Sequence, residues 1–357
     1  MHRLVCLLST RWVQGIPGKN VEFVDKKTAC YTCGNYVVFL NIETKMRSLL
    51  QGPGRGIGVF TANGFCKTLA LSEQKRHPSI FVYSYPKLTL TCALKGTAKL
   101  AYTAMALSDS GPYLTCCSSL PDYTIEVWNW EQGALICSHA QAINYPQEDI
   151  LTLLFNPVNW QQICAASTRC VKVWTIERLL YTFIFLYLLG SVIDLPATDG
   201  SVVEQEVISS HLPNGKLTYN GPQMPTSAIA GLIGNKADNF NRVKPRLCPS
   251  AICWSVFSDL YVGSKEGYLL LVNPETLHVS VLYKPHIEGS EPNFMMFFIY
   301  NDNLSQDGVL RSIQIKGNHV EIMETCALEE PVSAICCSPD YETLLLFSIT
   351  VGVKSFQ

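Results

Sequence analysis

LSDSGPYLTCCSSLPDYTIEVWNWEQGAL, residues 107–135, reads as three short strands separated by tight turns. The turn Ser108-Asp109-Ser110-Gly111 leads into a strand from Tyr113 to Cys117, and Pro121-Asp122 marks a second turn. The next strand, from Thr124 to Trp128, alternates, with Ile125 and Val127 on one face. Glu131-Gln132-Gly133 then turns the chain into a strand from Ala134 to Cys137. Gly, Asp, Asn and Pro take the backbone angles that such turns need, so the spacing predicts an antiparallel meander.

The unit recurs. Aligned on Trp128, Leu40 in YVVFLN, Tyr83 in IFVYS, Trp174 in VKVWT and Val272 in LLLVN take the same place, with weaker copies at Lys316 after SIQI and Phe356 in VKSF. The steps are 43 (40 to 83), 45 (83 to 128), 46 (128 to 174), 98 (174 to 272), 44 (272 to 316) and 40 (316 to 356). A second marker keeps the same period: an apolar run ending in a polar corner, as in Phe155-Asn156-Pro157 and Ser338-Pro339-Asp340-Tyr341. A period of about 40–45 residues with four strands is that of a WD40 blade. The prediction is an all-β, WD40-like β-propeller of about seven blades spanning residues 11–357, with Trp128 and Trp174 buried between blades. Residues 1–10 are set apart as an atypical N-terminal segment.

The step of 98 fits one blade plus one long insertion, placed at about residues 179–249. Between Pro196 and Pro249 the chain is rich in Pro, Gly and Asn and lacks periodicity. The segment from Leu179 to Ile193 is the most apolar of the chain and is read as foreign to the propeller, with part of it pairing as an outer strand. At about 15 residues it is shorter than the roughly 20 a membrane helix requires. The last blade is incomplete, since Gln357 follows directly on its third strand. A strand from the other end of the chain, around Val21 to Val24, is expected to complete it and remove the free edges.

Composition narrows the function. Charged residues make up 16% of the 357 and the net charge is −2, so nothing draws the chain to nucleic acid. The 15 cysteines lie in apolar runs such as Cys116-Cys117 and Cys336-Cys337, as small hydrophobes of a reducing compartment do. Cys30-x-x-Cys33 lacks the second pair or the histidines that a zinc site needs, so no metal and no cofactor are expected. Gly52-Pro53-Gly54-Arg55-Gly56-Ile57-Gly58 lacks the Lys-Ser/Thr of a P-loop and reads as a blade connection. Neither a G-x-S-x-G elbow nor H-E-x-x-H occurs, and Glu329-Glu330 reads as a solvated turn. No catalytic, cofactor-binding or metal-binding residue is assigned, and the chain is expected not to be an enzyme.

Several strings are unusual among WD repeats: RWVQGIPGKNVEFVD from Arg11, CYTCGNY from Cys30, SSLPDYTIEVWNWE from Ser118, FNPVNW from Phe155, VWTIER from Val173, SAIAGLIG from Ser227 and SDLYVGSKEGYLLLVN from Ser258. In these the chain resembles the N-terminal propeller of the long WD-repeat ciliary proteins of the cilia- and flagella-associated protein 43 family. The resemblance implies a structural role in the motile axoneme of cilia and sperm flagella. Such proteins belong to a tether that holds inner dynein arm motor heads against the doublet microtubule, with a related long WD-repeat protein as partner. It implies a cytoskeletal location in the cytoplasm and axoneme, protein partners only, and no nucleic acid or integral membrane. Family members continue into a second propeller and coiled-coil segments. Residues 1–10 and the apolar Leu179 to Ile193 segment depart from the family pattern, as expected of a short splice product or of read-through intronic sequence. The alternative is a soluble WD40 adaptor outside cilia, such as a ubiquitin ligase substrate receptor. Loop-rich ends of propellers commonly bind partners, which makes the insertion between Pro196 and Pro249 a candidate surface.

Overall fold

A computed structural model of the chain describes residues 6–8, 21–140, 150–178, 186–198, 210–212, 215–217, 246–284, 296–297, 309–316, 319–327, 334–340, 344–348 and 352–356. Two compact units are present, residues 1–194 with 247–357, and residues 195–246.

The larger unit is built of consecutive antiparallel sheets. Blade one is Val21–Phe23, Thr28–Cys33, Tyr36–Asn41 and Arg47–Gln51; blade two is Ile57–Asn63, Thr68–Glu73, Ile80–Ser84 and Thr89–Leu94. Blade three is Tyr102–Leu107, Tyr113–Ser118, Ile125–Asn129 and Ala134–His139; blade four is Thr152–Phe155, Gln162–Ala166, Val171–Arg178 and Leu186–Ile193. Blade five is Pro249–Trp254, Leu260–Ser264, Leu269–Val272 and Val279–Tyr283. In blade six Val309–Lys316 and His319–Ala327 form a hairpin, and Met296–Phe297 lies parallel to its first strand. The first strands of blades seven, one, two, three, four and five each lie against the next, so they line the axis of a β-propeller.

Every residue aligned with Trp128 falls on the strand next to the outer one, from Leu40 in blade one to Lys316 and Phe356 in the last two. Alternation then gives each blade two apolar faces, and these meet between neighbours. Trp128 is 7% exposed and packs with Ala70, Ile80 and Val82 of blade two. Trp174, at 2%, packs with Cys117, Ile125 and Val127 of blade three. Both tryptophans are buried between blades, as the repeat predicts. Similar clusters join blade one to blades two and seven, and blade five to blade six. Each buried aliphatic or aromatic side chain in them contributes about 1.5–3 kcal/mol.

Two expectations are corrected. The last blade is Ala334–Cys337, Leu344–Ser348 and Gly352–Phe356, completed by Cys6–Leu8 with Cys6 opposite Ser355 and Leu8 opposite Val353. Val21–Phe23 is instead the axial strand of blade one, because it leads directly through Asp25 into Thr28–Cys33. The second correction is partial: part of the apolar segment pairs as an outer strand, as expected, and only the reading of that part as foreign to the propeller is overturned. Leu186–Ile193 is the full outer strand of blade four, paired with Val171–Arg178 along its whole length from Arg178–Leu186 to Val171–Ile193. Leu188 and Ile193 are buried beneath it, so this part belongs to the propeller. Residues 179–185 lie outside the described ones.

In the smaller unit, Ser210–Leu212 pairs with Gly215–Leu217, and Ala197 forms a bridge to Arg246. Most of the insertion named above as a candidate surface lies outside the described residues.

Candidate docking site at the corner face

In blades one to five a polar residue at the end of the axial strand, or one or two places past it, builds the corner into the second strand. Asp25 Oδ1 accepts from the amides of Lys27 and Thr28, at 2.8 and 2.6 Å. Asn63 Oδ1 accepts from Phe65 and Cys66, both at 2.9 Å, and Asn156 Oδ1 from Val158 and Asn159. Ser255 Oγ accepts from the amides of Phe257 and Asp259, and Ser108 Oγ from that of Ser110. Short polar side chains compete well for backbone N–H groups in turns, which is why Asn, Asp and Ser recur at this position.

The corners are stitched to one another. The Glu22 carboxylate of blade one accepts from Thr61 Oγ1 at 3.2 Å and from the Ala62 amide of blade two. Asn63 Nδ2 of blade two donates to Asp109 Oδ1 of blade three at 2.5 Å. Tyr113 of blade three stacks on Trp160 of blade four, ring centroids 3.8 Å apart. Ser258 Oγ of blade five donates to Asn156 Oδ1 of blade four at 3.1 Å. Gly64 meets blade seven so closely that a β-carbon on it would overlap Cγ of Pro339.

Within this ring a cavity of about 180 Å³ opens, lined by residues one place past the corner caps: Gly64, Asp109, Pro157, Val256 and Pro339. Glu22, Phe155 and Trp254 wall it from the axial strands. Two places past the cap, blades two, four and five carry Phe65, Val158 and Phe257, which are 53%, 62% and 84% exposed. Val256 is 50% exposed beside them. Single exposed apolar residues are ordinary, but four at three corners of one face offer apolar surface of the kind that binds protein. Burial pushes the Asp109 carboxyl above the usual carboxylate range, opposed by the hydrogen bond from Asn63.

The corners were read in the sequence only as turns. What brings Phe65, Val158 and Phe257 to one face is their shared distance from the cap, a signal present in the repeat. Cys30 and Cys33 are not brought together. Three residues apart on one strand, they face opposite sides of the sheet, Cys30 towards Phe39 and Leu69, Cys33 towards the cluster holding Cys336. Among the described residues no group of three or more His, Cys, Asp or Glu could hold a metal ion.

Successive four-stranded meanders around an axis, with corner caps and buried tryptophans at one period, define a WD40 β-propeller. The same fold is found in a chain of the crystal structure of the mitotic checkpoint complex, with a TM-score of 0.61 over 99% of this chain and 90% of that one, at 11% identity. The chain is homologous to cilia- and flagella-associated protein 43, with 37% identity to the Xenopus laevis protein over 99% of this chain and 38% to the mouse protein over 95%. It spans about a fifth of the length of these relatives, 22% and 20% respectively. Mouse cilia- and flagella-associated protein 44 is 30% identical over 199 residues, covering 56% of this chain and 10% of that protein. No family model matches the chain.

Proposed function

We propose that the chain is a non-enzymatic WD-repeat scaffold of the cilium and flagellum, located on the axoneme. It acts in a tether that holds inner dynein arm motor heads to the doublet microtubule, with a related long WD-repeat protein as its partner. The observation that carries this reading is identity of 37–38% to cilia- and flagella-associated protein 43 over 95–99% of the chain. Similarity to cilia- and flagella-associated protein 44 supports a partner built of the same repeat. An exposed apolar patch on a rigid ring suits docking better than chemistry, since a propeller presents its corners without reorganisation. Immunolocalisation in multiciliated cells or sperm tests it. Signal along the axoneme is expected, and a signal confined to the cytoplasm would instead support an adaptor outside cilia.

A further inference from the structure

We infer that the corner-face cavity receives one cationic side chain, arginine or lysine, from a partner segment whose neighbouring residues are apolar. This rests on reading the chain as a protein scaffold and adds the chemistry of what it binds. The cavity, at about 180 Å³, is smaller than the roughly 300–1,000 Å³ of small-molecule sites, so it suits a side chain. Among the described residues its lining holds two carboxylates, Glu22 and Asp109, and no Lys, Arg or His. Glu22 is committed to blade two through Thr61 and Ala62. Asp109 is held through Oδ1 alone, and among the described residues Oδ2 takes no hydrogen bond.

The lysines of the corners, Lys26, Lys27 and Lys67, stand outside the lining, and Lys27 is paired with Glu43 at 2.8 Å. Lysine therefore does not neutralise the mouth from within. A cation entering it would meet the solvent-facing Asp109 carboxylate, to which it can donate a charge-assisted hydrogen bond. Trp254, at 6% exposure, also lines the cavity. Around the opening, Phe65, Val158, Val256 and Phe257 offer apolar contact to the residues on either side of that cation.

The test uses the whole chain and three fluorescein-labelled pentapeptides, glycine-leucine-X-leucine-glycine, with X as arginine, its neutral isostere citrulline, or glutamate. Fluorescence anisotropy at low salt is expected to show the arginine peptide binding about tenfold tighter than the citrulline one, and the glutamate peptide weakest. Asp109→Asn should erase most of the arginine preference, and Phe257→Ser should weaken the arginine and citrulline peptides alike. Equal affinity for arginine and citrulline, preference for glutamate, or no binding of any peptide at millimolar concentration overturns the inference. If Asp109→Asn does not fold, judged by circular dichroism, the arginine-to-citrulline ratio of the unaltered chain decides. Localisation in ciliated cells is scored separately. Axonemal signal without discrimination among peptides sinks this inference alone, whereas absence from the axoneme sinks the scaffold reading whatever the peptides do.

Discussion

Gly190 lies directly opposite Trp174 across the last two strands of blade four, and a β-carbon at Gly190 would stand 2.5 Å from Cζ3 of the indole. The glycine is what lets Trp174 lie flat over the outer strand, with Lys172 Nζ 5.4 Å from the ring and His139 of blade three at 5.0 Å between centroids. Gly190→Ala forces the indole out of a packed interface and is expected to cost about 1–3 kcal/mol. Trp174→Ala, which leaves a cavity, is expected to cost about 3–5 kcal/mol. Urea denaturation checks both. It also checks the segment itself: replacing Leu186–Ile193 with a polar linker should unfold blade four, and a gain in soluble yield would contradict its place in the sheet.

Glu126 is a carboxylate at 1% exposure inside blade three. Its Oε1 accepts from the Thr97 amide at 2.8 Å, and its Oε2 from Trp128 Nε1 at 3.4 Å and Cys116 Sγ at 3.6 Å. The carboxylate thus ties the link between blades two and three to the buried tryptophan. Glu126→Ala leaves these donors alone in a dry interior, at about 1–3 kcal/mol for each unsatisfied one. Glu126→Gln keeps an acceptor for Thr97 and should lose less. Equal losses in the two variants, measured by chemical denaturation, would show that the donors do not matter.

The repeat made the third strands legible, because alternation there is strict and ends in a large residue, as at Trp128 and Trp174. The corners were legible as turns. Their sharing of a face was not, since that needs the contact of Asn63 with Asp109 and of Gly64 with Pro339, on different blades. Cys6–Leu8 carried no signal of its own: three residues are too few for a period, and the partner strand, Gly352–Phe356, lies at the other end of the chain. Leu186–Ile193 misled because an outer strand is usually half polar, whereas here Tyr187, Leu189 and Val192 are exposed on it.

Burial holds the thiols of Cys30 and Cys116 well above the ordinary range and pushes Cys137 up to about 12 and Cys337 to about 11. No disulfide joins the thirteen cysteines whose side chains are described, and Cys66 is the exposed one among them. A maleimide at neutral pH is therefore expected to label Cys66 first, and to count all 15 only after denaturation without reductant. A count far below that would reveal disulfides. The folded state holds these protons more tightly than the unfolded one. Their contribution is thus intact below the ordinary thiol value of about 8.5 and is lost as pH rises towards the folded values. The urea midpoint should fall between pH 8 and 10.5 by about the same sign of slope at every buried thiol.

Asp109, like the thiols, becomes an anion on losing its proton, and burial shifts it in the same direction. Its carboxyl is raised by burial, so its contribution is present below the usual aspartate value and is lost as pH rises through the folded one. Asp109→Asn removes that loss and keeps an oxygen for Asn63. The variant should match or exceed the parent in thermal stability at neutral pH, with the difference closing towards pH 4. A variant less stable at neutral pH would mean that the charge is stabilised by its surroundings.

Axonemal retention of a corner-face variant tests the docking scaffold most directly. The tagged chain and the double variant Phe65→Ser, Phe257→Ser are expressed in ciliated cells, the membranes are removed with detergent, and the axonemes are blotted for the tag. The rings are 53% and 84% exposed, and a thermal midpoint close to the parent's shows that the variant is folded before retention is compared. The parent chain is expected to stay with the axoneme and the folded variant to be washed away. Equal retention of the two, or a parent chain found only in the soluble fraction, would contradict docking through this face.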